Sequence, residues 1–342
     1  MKHKTLYFTL CQFLVFHCAA QDINFSQFYE IPLLRNPGLA GIFKGDVRLT
    51  GAMRNQWSSV TIPYKTTALS AECRFGLSEN SDDYLITGIQ VTNDVAGDSK
   101  LGKTQFMPVI ALNKILSSDR DTYLSLGFMG GPVQQRFDPT QLKFDDQFVN
   151  GAYSPTNPTQ QTFSRTEFTY LDGSVGLIFS STIGYDVSYY IGGGYYHFTR
   201  PKVAVNVQND IALNPKFIVN GGFAAPTSDF DKIIFYADYF RQGGNNQAQG
   251  GIIYKRDLIQ YEDDESVSLA VGSFIRWNDA IIPMVKVELN KFAFGLTYDI
   301  NISKLKTASQ VRGGFELTLS YRNYLNIRSS SANKTRCPVN PN

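Results

Sequence analysis

The sequence has little charge and no long hydrophobic run beyond its first twenty residues. Only 18% of its 342 residues are charged, with 32 Lys and Arg against 30 Asp and Glu. Nucleic acids and nucleotides bind to clustered basic side chains, so this even balance argues against both as partners. A membrane-spanning helix needs about 18 or more consecutive apolar residues, and no later run reaches that length. The composition therefore excludes two broad classes, nucleic-acid-binding proteins and helical membrane proteins.

Cysteine and histidine are also scarce, with four Cys and three His. Four cysteines in a chain of this length exclude a small domain held together by disulfides. His197 is the only histidine after residue 20, so no histidine cluster can bind a metal and any His-dependent triad would need this residue. We interpret it as an interfacial or lumen-facing residue rather than a general base. Because no Gly-x-Ser-x-Gly motif occurs either, we expect no enzymatic activity and no cofactor.

The first twenty residues have the order of a secretory signal peptide. Lys2 and Lys4 form a basic start, 6–16 is apolar, and Cys18-Ala19-Ala20 is a small-residue cleavage site before Gln21. A lipoprotein attached through Cys18 is the alternative, which the preceding histidine disfavours. Among the cysteines that follow, Cys73 and Cys337, two unpaired thiols are favoured over a disulfide.

Apolar and aromatic residues are abundant, at 43% and 13%, which excludes intrinsic disorder. From Gly45 onward they alternate with polar residues, as in Phe315 to Arg322 and in Phe292 to Asn301. This period of two is the pattern of strands with one apolar face. The segments run about 10 to 17 residues, longer than average globular strands but long enough to cross a bilayer at a tilt. Tyr and Phe also cluster near their ends, as interfacial girdles would require.

These segments predict an all-β fold, a single transmembrane antiparallel up-and-down β-barrel of about 14 strands over 45–322. A soluble β-sandwich is the alternative, but it would not need strands of this length. The predicted strands are 45–57, 65–77, 83–97, 101–116, 121–138, 166–182, 185–201, 215–226, 232–241, 245–258, 267–277, 281–290, 291–301 and 313–322.

The connections between these segments agree with the barrel. Outer-membrane barrels have short periplasmic turns and longer outer loops. If the N-terminus is periplasmic, every connection longer than eight residues falls on the outer side, including 139–165 and 202–214. We therefore predict an outer-membrane location with both termini periplasmic. The segments outside the barrel are 21–44, a periplasmic lead-in folded beneath it, and 323–342, a periplasmic tail that is either a flexible tag or a docking segment.

Charged residues at the polar positions of the last strands are predicted to face a wet lumen, because a dry sandwich core would not accept them. The expected lumen-facing residues are Lys286, Glu288, Asp299, Glu316 and Arg322.

Two motifs suggest other chemistry. Residues 97–104 (GDSKLGKT) match the phosphate-loop pattern, but Pro108 falls where a helix would need to continue, so we interpret the motif as a hairpin turn. Asp145-Asp146 and the acidic run 262–265 could bind Ca²⁺, although solvated acidic loops are favoured.

Polar residues that no barrel physics requires carry a resemblance to a known family. The opening Gln21-Asp22 to Tyr29, with Asn36-Pro37, is similar to the "Q-D-x-x-F-S-Q-Y … N-P-A-L-A-G" of the PorP/SprF outer-membrane proteins of type IX secretion. Residues 54–57 resemble its "R-x-Q-W", 295–317 resemble its "G-x-S-Y-D-x-N … G-G-F-E-L-S", and the tail has its Cys-Pro. Gly38 and Phe28 depart from the usual Ala and Tyr, and the basic-aromatic ending is missing, which puts tail-mediated contacts in doubt. The motif positions are Phe25, Ser26, Gln27, Asn36, Pro37, Trp57, Tyr298, Asp299 and Cys337.

The resemblance implies a non-enzymatic outer-membrane partner of secreted or surface-displayed type IX cargo, in gliding bacteria often large adhesins. The implied partners are this cargo, other envelope components of the secretion system, and the lipid bilayer. A passive channel for small solutes is the alternative, because strand number alone does not decide whether a barrel is open. We expect a blocked lumen, with the inward charges and 21–44 contributing.

Overall fold

The computed structural model describes residues 22–56, 62–78, 81–184, 186–206, 208–260, 266–304, 306–310 and 312–325. The predicted signal peptide, Trp57, the acidic run 262–265, Cys337 and nearly all of the tail lie outside these ranges. Within them the helices are short: two α-helical turns, Pro32–Arg35 and Lys306–Ser309, and four 3-10 turns, Phe28–Glu30, Pro37–Leu39, Pro139–Gln141 and Asp145–Gln147. Among the described residues, no helix is long and apolar enough to cross a membrane.

Fourteen long strands form one closed antiparallel barrel, which confirms the predicted fold class and strand number. Each barrel strand pairs with the next one along the chain, and the last closes on the first from Val47↔Asn323 to Gln56↔Gly314. A separate two-stranded hairpin, β6–β7, lies within one connection. The strands are β1 Val47–Gln56, β2 Tyr64–Ser78, β3 Ser81–Ala96, β4 Leu101–Ser117, β5 Thr122–Arg136, β6 Phe148–Val149, β7 Ala152–Tyr153, β8 Glu167–Ile183, β9 Val187–Tyr196, β10 Lys216–Pro226, β11 Asp231–Gln242, β12 Asn245–Gln260, β13 Ser266–Arg276, β14 Ala280–Leu289, β15 Phe292–Asn301 and β16 Arg312–Asn323.

The strands present their apolar residues outward and their polar residues inward. In β16, Leu317 and Leu319 are exposed, whereas Glu316, Thr318 and Ser320 are buried. The same arrangement repeats around the barrel and is the reverse of that in a soluble protein, where large apolar side chains are buried. A barrel surrounded by lipid requires this outward apolar band.

The two ends of the barrel differ in their connections. One end, called here the long-loop end, carries 137–166, 197–215 and 302–311 between strands. At the other, the short-turn end, no connection is longer than 261–265. The phosphate-loop match also lies at the long-loop end, where 97–100 form a tight turn and Leu101–Ser117 is a strand, which confirms the hairpin interpretation.

Residues 22–46, called here the plug, lie inside the barrel, so the expected position of the lead-in beneath it was wrong. Asp22 contacts the wall at the long-loop end, whereas Asp46 hydrogen bonds to Asn323 at the short-turn end, where β1 begins. The plug therefore crosses the whole lumen before the first strand. Asp22 and Leu325, the first and last described residues of the chain, lie at opposite ends of the barrel. Inside the barrel, polar side chains of the wall form hydrogen bonds and ion pairs with this segment, whereas beneath the barrel only water would do so.

Candidate functional site: the plugged lumen

The plug has no strand or helix periodicity, and local capping sets its backbone instead. Pro32 and Pro37 each occupy the first turn of a short helix, where a missing N–H costs no hydrogen bond. Asn36 ends one turn and caps the next, because its Oδ1 accepts a 2.8 Å hydrogen bond from the N–H of Gly38. Its amide also donates to Asn220 Oδ1 on β10 at 3.0 Å. The Asn-Pro pair thus turns the plug and attaches it to the wall.

Near the long-loop end, Ser26 and Gln27 bind to β16 of the wall. Their backbone N–H groups donate to the two carboxylate oxygens of Glu316 at 2.7 and 2.6 Å. The Gln27 side chain accepts from Thr318 Oγ1 at 2.8 Å and donates to the carbonyl of Glu316 at 3.2 Å. Hydrogen bonds to a charged acceptor are about twice as strong as neutral ones. This contact therefore fixes the plug backbone to β16.

A buried charge network surrounds the same two plug residues. Ser26 Oγ donates to Asp299 Oδ1 at 2.5 Å and accepts from Arg276 Nη2 at 2.8 Å. Arg54 and Arg276 both pair with Asp299 Oδ2, at 2.8 and 3.2 Å. Arg276 also reaches Asp279 at 2.8 Å. Four strands, β1, β13, β15 and β16, thus converge on this part of the plug.

Midway along the lumen, Arg35 of the plug forms a buried bidentate pair with Asp238 on β11. Its Nε lies 2.6 and 2.8 Å from the two carboxylate oxygens, and Nη2 lies 2.5 Å from Oδ1. The guanidinium also donates to the Tyr190 hydroxyl and to the Gly221 carbonyl, and it lies 4.9 Å from the Phe28 ring centre. Such pairs are strongly destabilising to break, because one charge is then left buried alone.

Two wall glycines let the plug backbone approach closely. A Cβ at Gly176 would lie 1.7 Å from Asn36 Oδ1, and a Cβ at Gly127 would lie 2.1 Å from the carbonyl oxygen of Pro37. Both distances are far shorter than any van der Waals contact, so only glycine fits at either position. The wall of β5 and β8 is therefore shaped to the Asn-Pro turn.

Toward the short-turn end, the contacts are again charged. Lys286 on β14 pairs with Glu30 of the plug at 2.6 Å and with Glu288 at 2.9 Å. Glu288 also pairs with Lys255 and, at 3.3 Å, with Arg322. Lys286 therefore joins the plug to the wall through Glu30, while Glu288 pairs with all three of these wall cations.

At the long-loop mouth, the Asp22 carboxylate lies among three cations. Lys103 is 3.0 Å from Oδ1, while His197 Nε2 and Lys216 Nζ are 3.4 and 3.6 Å from Oδ2. Burial would raise the pKa of Asp22, but Lys103, Lys216 and His197 outweigh it and hold the pKa well below the usual value. Burial likewise would lower the pKa of His197, but its hydrogen bond to Asp172 at 2.6 Å and the nearby Asp22 raise it to about 9.

The structure brings most of the sequence-predicted residues to this plug and its wall. Lys286, Asp299 and Glu316 contact the plug directly. Phe25 packs in an apolar cluster with Ile31, whereas Tyr298 is exposed on the outer face of β15, away from the plug. Trp57 and Cys337 lie outside the described residues.

Sequence reasoning missed three plug contacts: Asp22, Arg35 and the Asp172–His197 pair. A signal was present for the contact of Arg35 and for the Asp172–His197 pair. Asp238, the partner of Arg35, and Asp172 each occupy an inward position in a strand whose outward positions are apolar. An acidic residue there requires a positive partner, but the strand pattern does not say which residue supplies it.

The arrangement attaches a segment to a wall rather than presenting reactive groups. Within the described ranges, no three or more His, Cys, Asp or Glu side chains are grouped so that they could hold a metal ion. Asp146 accepts hydrogen bonds from Thr159 and Gln160 in the 137–166 connection, so loop contacts already use its carboxylate.

Comparison with known proteins identifies the family. The family model described as type IX secretion system membrane protein PorP/SprF matches residues 17–321. No match was found among curated protein sequences.

Several solved barrels have a related architecture at low similarity. The "TodX monoaromatic hydrocarbon channel deltaS2 mutant" has a TM-score of 0.48 at 10% identity, over 86% of this chain and 94% of that one. The "CymD monoaromatic hydrocarbon channel" has a TM-score of 0.42 at 12% identity, over 89% and 94%. BamA from Haemophilus ducreyi has a TM-score of 0.41 at 10% identity, over 81% and 71%. Because these TM-scores are below 0.5, the assignment depends on the family match, which spans nearly the whole chain: the protein belongs to the PorP/SprF family of type IX secretion system membrane proteins and is an outer-membrane β-barrel.

Proposed function

We propose that this barrel is a non-enzymatic partner and anchor for type IX cargo, such as large adhesins, during secretion or display at the cell surface. In this proposal the long-loop end faces outward and holds the cargo. The short-turn end and the 323–342 tail face the periplasm and engage other secretion components. Family membership supports a role in type IX secretion, and the geometry of the lumen supports an anchor rather than a channel.

The observation that carries the proposal is the plug, which crosses the lumen from end to end. Buried charged contacts hold it at three levels, through Glu316, Asp238 and Lys286. A passive channel needs a continuous wet path, and a segment fixed in this way opposes one. A closed barrel can still present its loops and turns to protein partners.

The 137–166 connection supports the outward docking surface. It contains the β6–β7 hairpin and several internal hydrogen bonds, including Asn157 Nδ2 to the Asp146 carbonyl at 2.7 Å. Phe148 and Val149 on the hairpin are about half exposed. Exposed apolar residues on a pre-formed polar loop are the usual anchors of protein interfaces.

The direct test is gentle detergent extraction from native outer membranes of cells that are confirmed to be secreting, followed by mass spectrometry. A tag in the short 243–244 connection would leave the longer loops free. We expect one large secreted protein, or envelope secretion components, to copurify. An unrelated outer-membrane barrel with the same tag is the control. Recovery of the barrel alone would contradict the proposal.

The alternative, a passive channel for small solutes, is tested by conductance in a pure lipid bilayer. We expect no stable open-channel current from the full-length barrel. A stable current that deletion of 22–44 leaves unchanged would favour the channel function.

A further inference from the structure

The cations around Asp22 form a site that is larger than the single carboxylate it holds. Only Lys103 lies within hydrogen-bond distance, at 3.0 Å, whereas His197 and Lys216 stand off at 3.4 and 3.6 Å. The three cations come from separate wall elements: the start of β4, the start of β10, and the residue after β9. They converge at the long-loop mouth.

His197 shows that the donor capacity of this site is only partly used. Its side chain is 2% exposed, and Nδ1 is bonded to Asp172 at 2.6 Å. Its Nε2 is buried and forms no hydrogen bond with any described residue. Its nearest acceptor is Asp22 Oδ2 at 3.4 Å, beyond a good hydrogen-bond length, so a carboxylate that came closer would satisfy this buried donor better.

The backbone of Asp22 is also less tightly attached than that of the plug residues that follow it. Its N–H reaches Gln242 only at 3.3 Å, and the Asn24 amide reaches Gln249 at 3.3 Å. The next contacts, from Ser26 and Gln27 to Glu316, are 2.7 and 2.6 Å. Arg54 also donates to the Asn24 carbonyl, so Asp22 could leave the wall while the contacts of Asn24, Ser26 and Gln27 stay in place.

If Asp22 leaves, the site has an excess of positive charge. Asp172 balances His197, while Lys103 and Lys216 lose their nearest carboxylate. Of the other acidic groups that act on these cations, Asp238 is already paired with Arg35. Asp94 acts on Lys103, so Asp94 and Asp172 together offset two of the three positive charges and leave one. The Tyr170 hydroxyl acts on Lys103 as well, but it carries no charge at neutral pH.

We propose that Lys103, Lys216 and His197 form a carboxylate-binding site at the long-loop mouth, which Asp22 occupies in the isolated barrel and which an acidic side chain of a bound partner segment takes by displacing it. Asp22 is then an internal competitor for the partner. This inference rests on the proposed function, because it assumes a protein partner at the long-loop end.

The test uses the purified full-length barrel in detergent and a fluorescently labelled hexaglutamate peptide as the probe. Removing the competitor in Asp22→Ala should tighten peptide binding at least about tenfold, the effect of one well-formed charged contact. Asp210→Ala is the matched control, because Asp210 is an exposed carboxylate paired with Lys202 at the same end. We expect no change for this variant.

The gain must depend on the cations of the site. In the Asp22→Ala background, Lys103→Gln or Lys216→Gln should abolish the tighter binding, whereas Lys202→Gln should preserve it. Two independent lysine substitutions keep the test valid if one variant does not fold, and Asp22→Asn provides a milder removal of the competing charge. No gain in either Asp22 variant, or a gain that survives both lysine substitutions, overturns the proposal.

The outcomes separate this inference from the proposed function. Peptide binding is measured without cargo, and copurification is measured without peptide. Copurified cargo with unchanged peptide affinity would overturn only the carboxylate site. A gain in peptide affinity with no copurifying partner would support the site and contradict the role as a cargo anchor.

Discussion

The Arg35–Asp238 pair offers the sharpest test of how the plug is held. Arg35→Met keeps an unbranched apolar stem and removes the guanidinium, so Asp238 loses the group that contacts both of its oxygens. The side chains are 3% and 1% exposed, so water cannot replace the lost contacts while the plug stays in place. The variant should therefore favour the state in which the plug has left the wall.

The expected magnitude follows from the burial of the pair. Removing one partner of a buried ion pair costs about 3–5 kcal/mol, because the other charge stays desolvated. At about 1.4 kcal/mol per factor of ten, the ratio of displaced to seated plug should rise about 100-fold to several thousand-fold. Replacing both partners with apolar residues, in Arg35→Met with Asp238→Leu, should recover most of this loss.

The assay is the frequency of channel openings by single barrels in a planar lipid bilayer, measured for each variant against wild type. Lys202→Met is the control, because its pair with Asp210 is largely exposed and contributes little. Openings in Arg35→Met that are no more frequent than in wild type, together with unchanged thermal stability in detergent, would refute the reasoning.

Three further predictions concern other contacts of the plug. Gly127→Ala should prevent the plug from binding to the wall and so produce frequent channel openings. Gly244→Ala, whose added Cβ meets nothing within 4 Å, should behave as wild type. Equal opening frequencies in the two variants would contradict the close fit of the plug at Gly127. Glu316→Gln should lower the free energy of unfolding of the barrel by about 1–3 kcal/mol, because the amide accepts the two plug N–H groups more weakly. Glu167→Gln, which changes an exposed side chain, should not lower it. Calorimetry in detergent measures both variants. The pKa of His197 is raised to about 9 from about 6.5, so its stabilising charge is fully present below pH 6.5 and lost as the pH rises through 9. The melting temperature of the wild-type barrel should therefore fall as the pH rises through 9, and that of His197→Asn should not. An identical fall in the variant would contradict this role of His197.

The strand positions and their faces could be predicted from sequence because the rule that governs them is local. In β16, alternation alone places Leu317 and Leu319 outward and Glu316 inward, whatever the neighbouring strands are. The prediction that Lys286 faces inward depended on the same period. The bounds differ by only a few residues, since the turns between strands are short.

The position of the plug could not be predicted in this way. Residues 22–46 have no period, and their partners lie far away in the chain: Arg35 and Asp238 are 203 residues apart, and Gln27 and Glu316 are 289 apart. The family resemblance marked Ser26, Gln27 and Asn36 as special without indicating what they contact. Their partners exist only once the barrel has closed.

The sequence by itself thus determined a fourteen-stranded barrel, its apolar outer face and the end that carries the long loops, because each depends on residues close together in the chain. Only the tertiary structure decided that the lead-in fills the lumen, that Asp22 and the start of the first strand lie at opposite ends, and that His197 lies between two carboxylates. The physical reason is that the buried charges of the lumen wall need partners of opposite charge. Which segment supplies them depends on what lies close in the folded barrel, and the local sequence pattern does not contain that information.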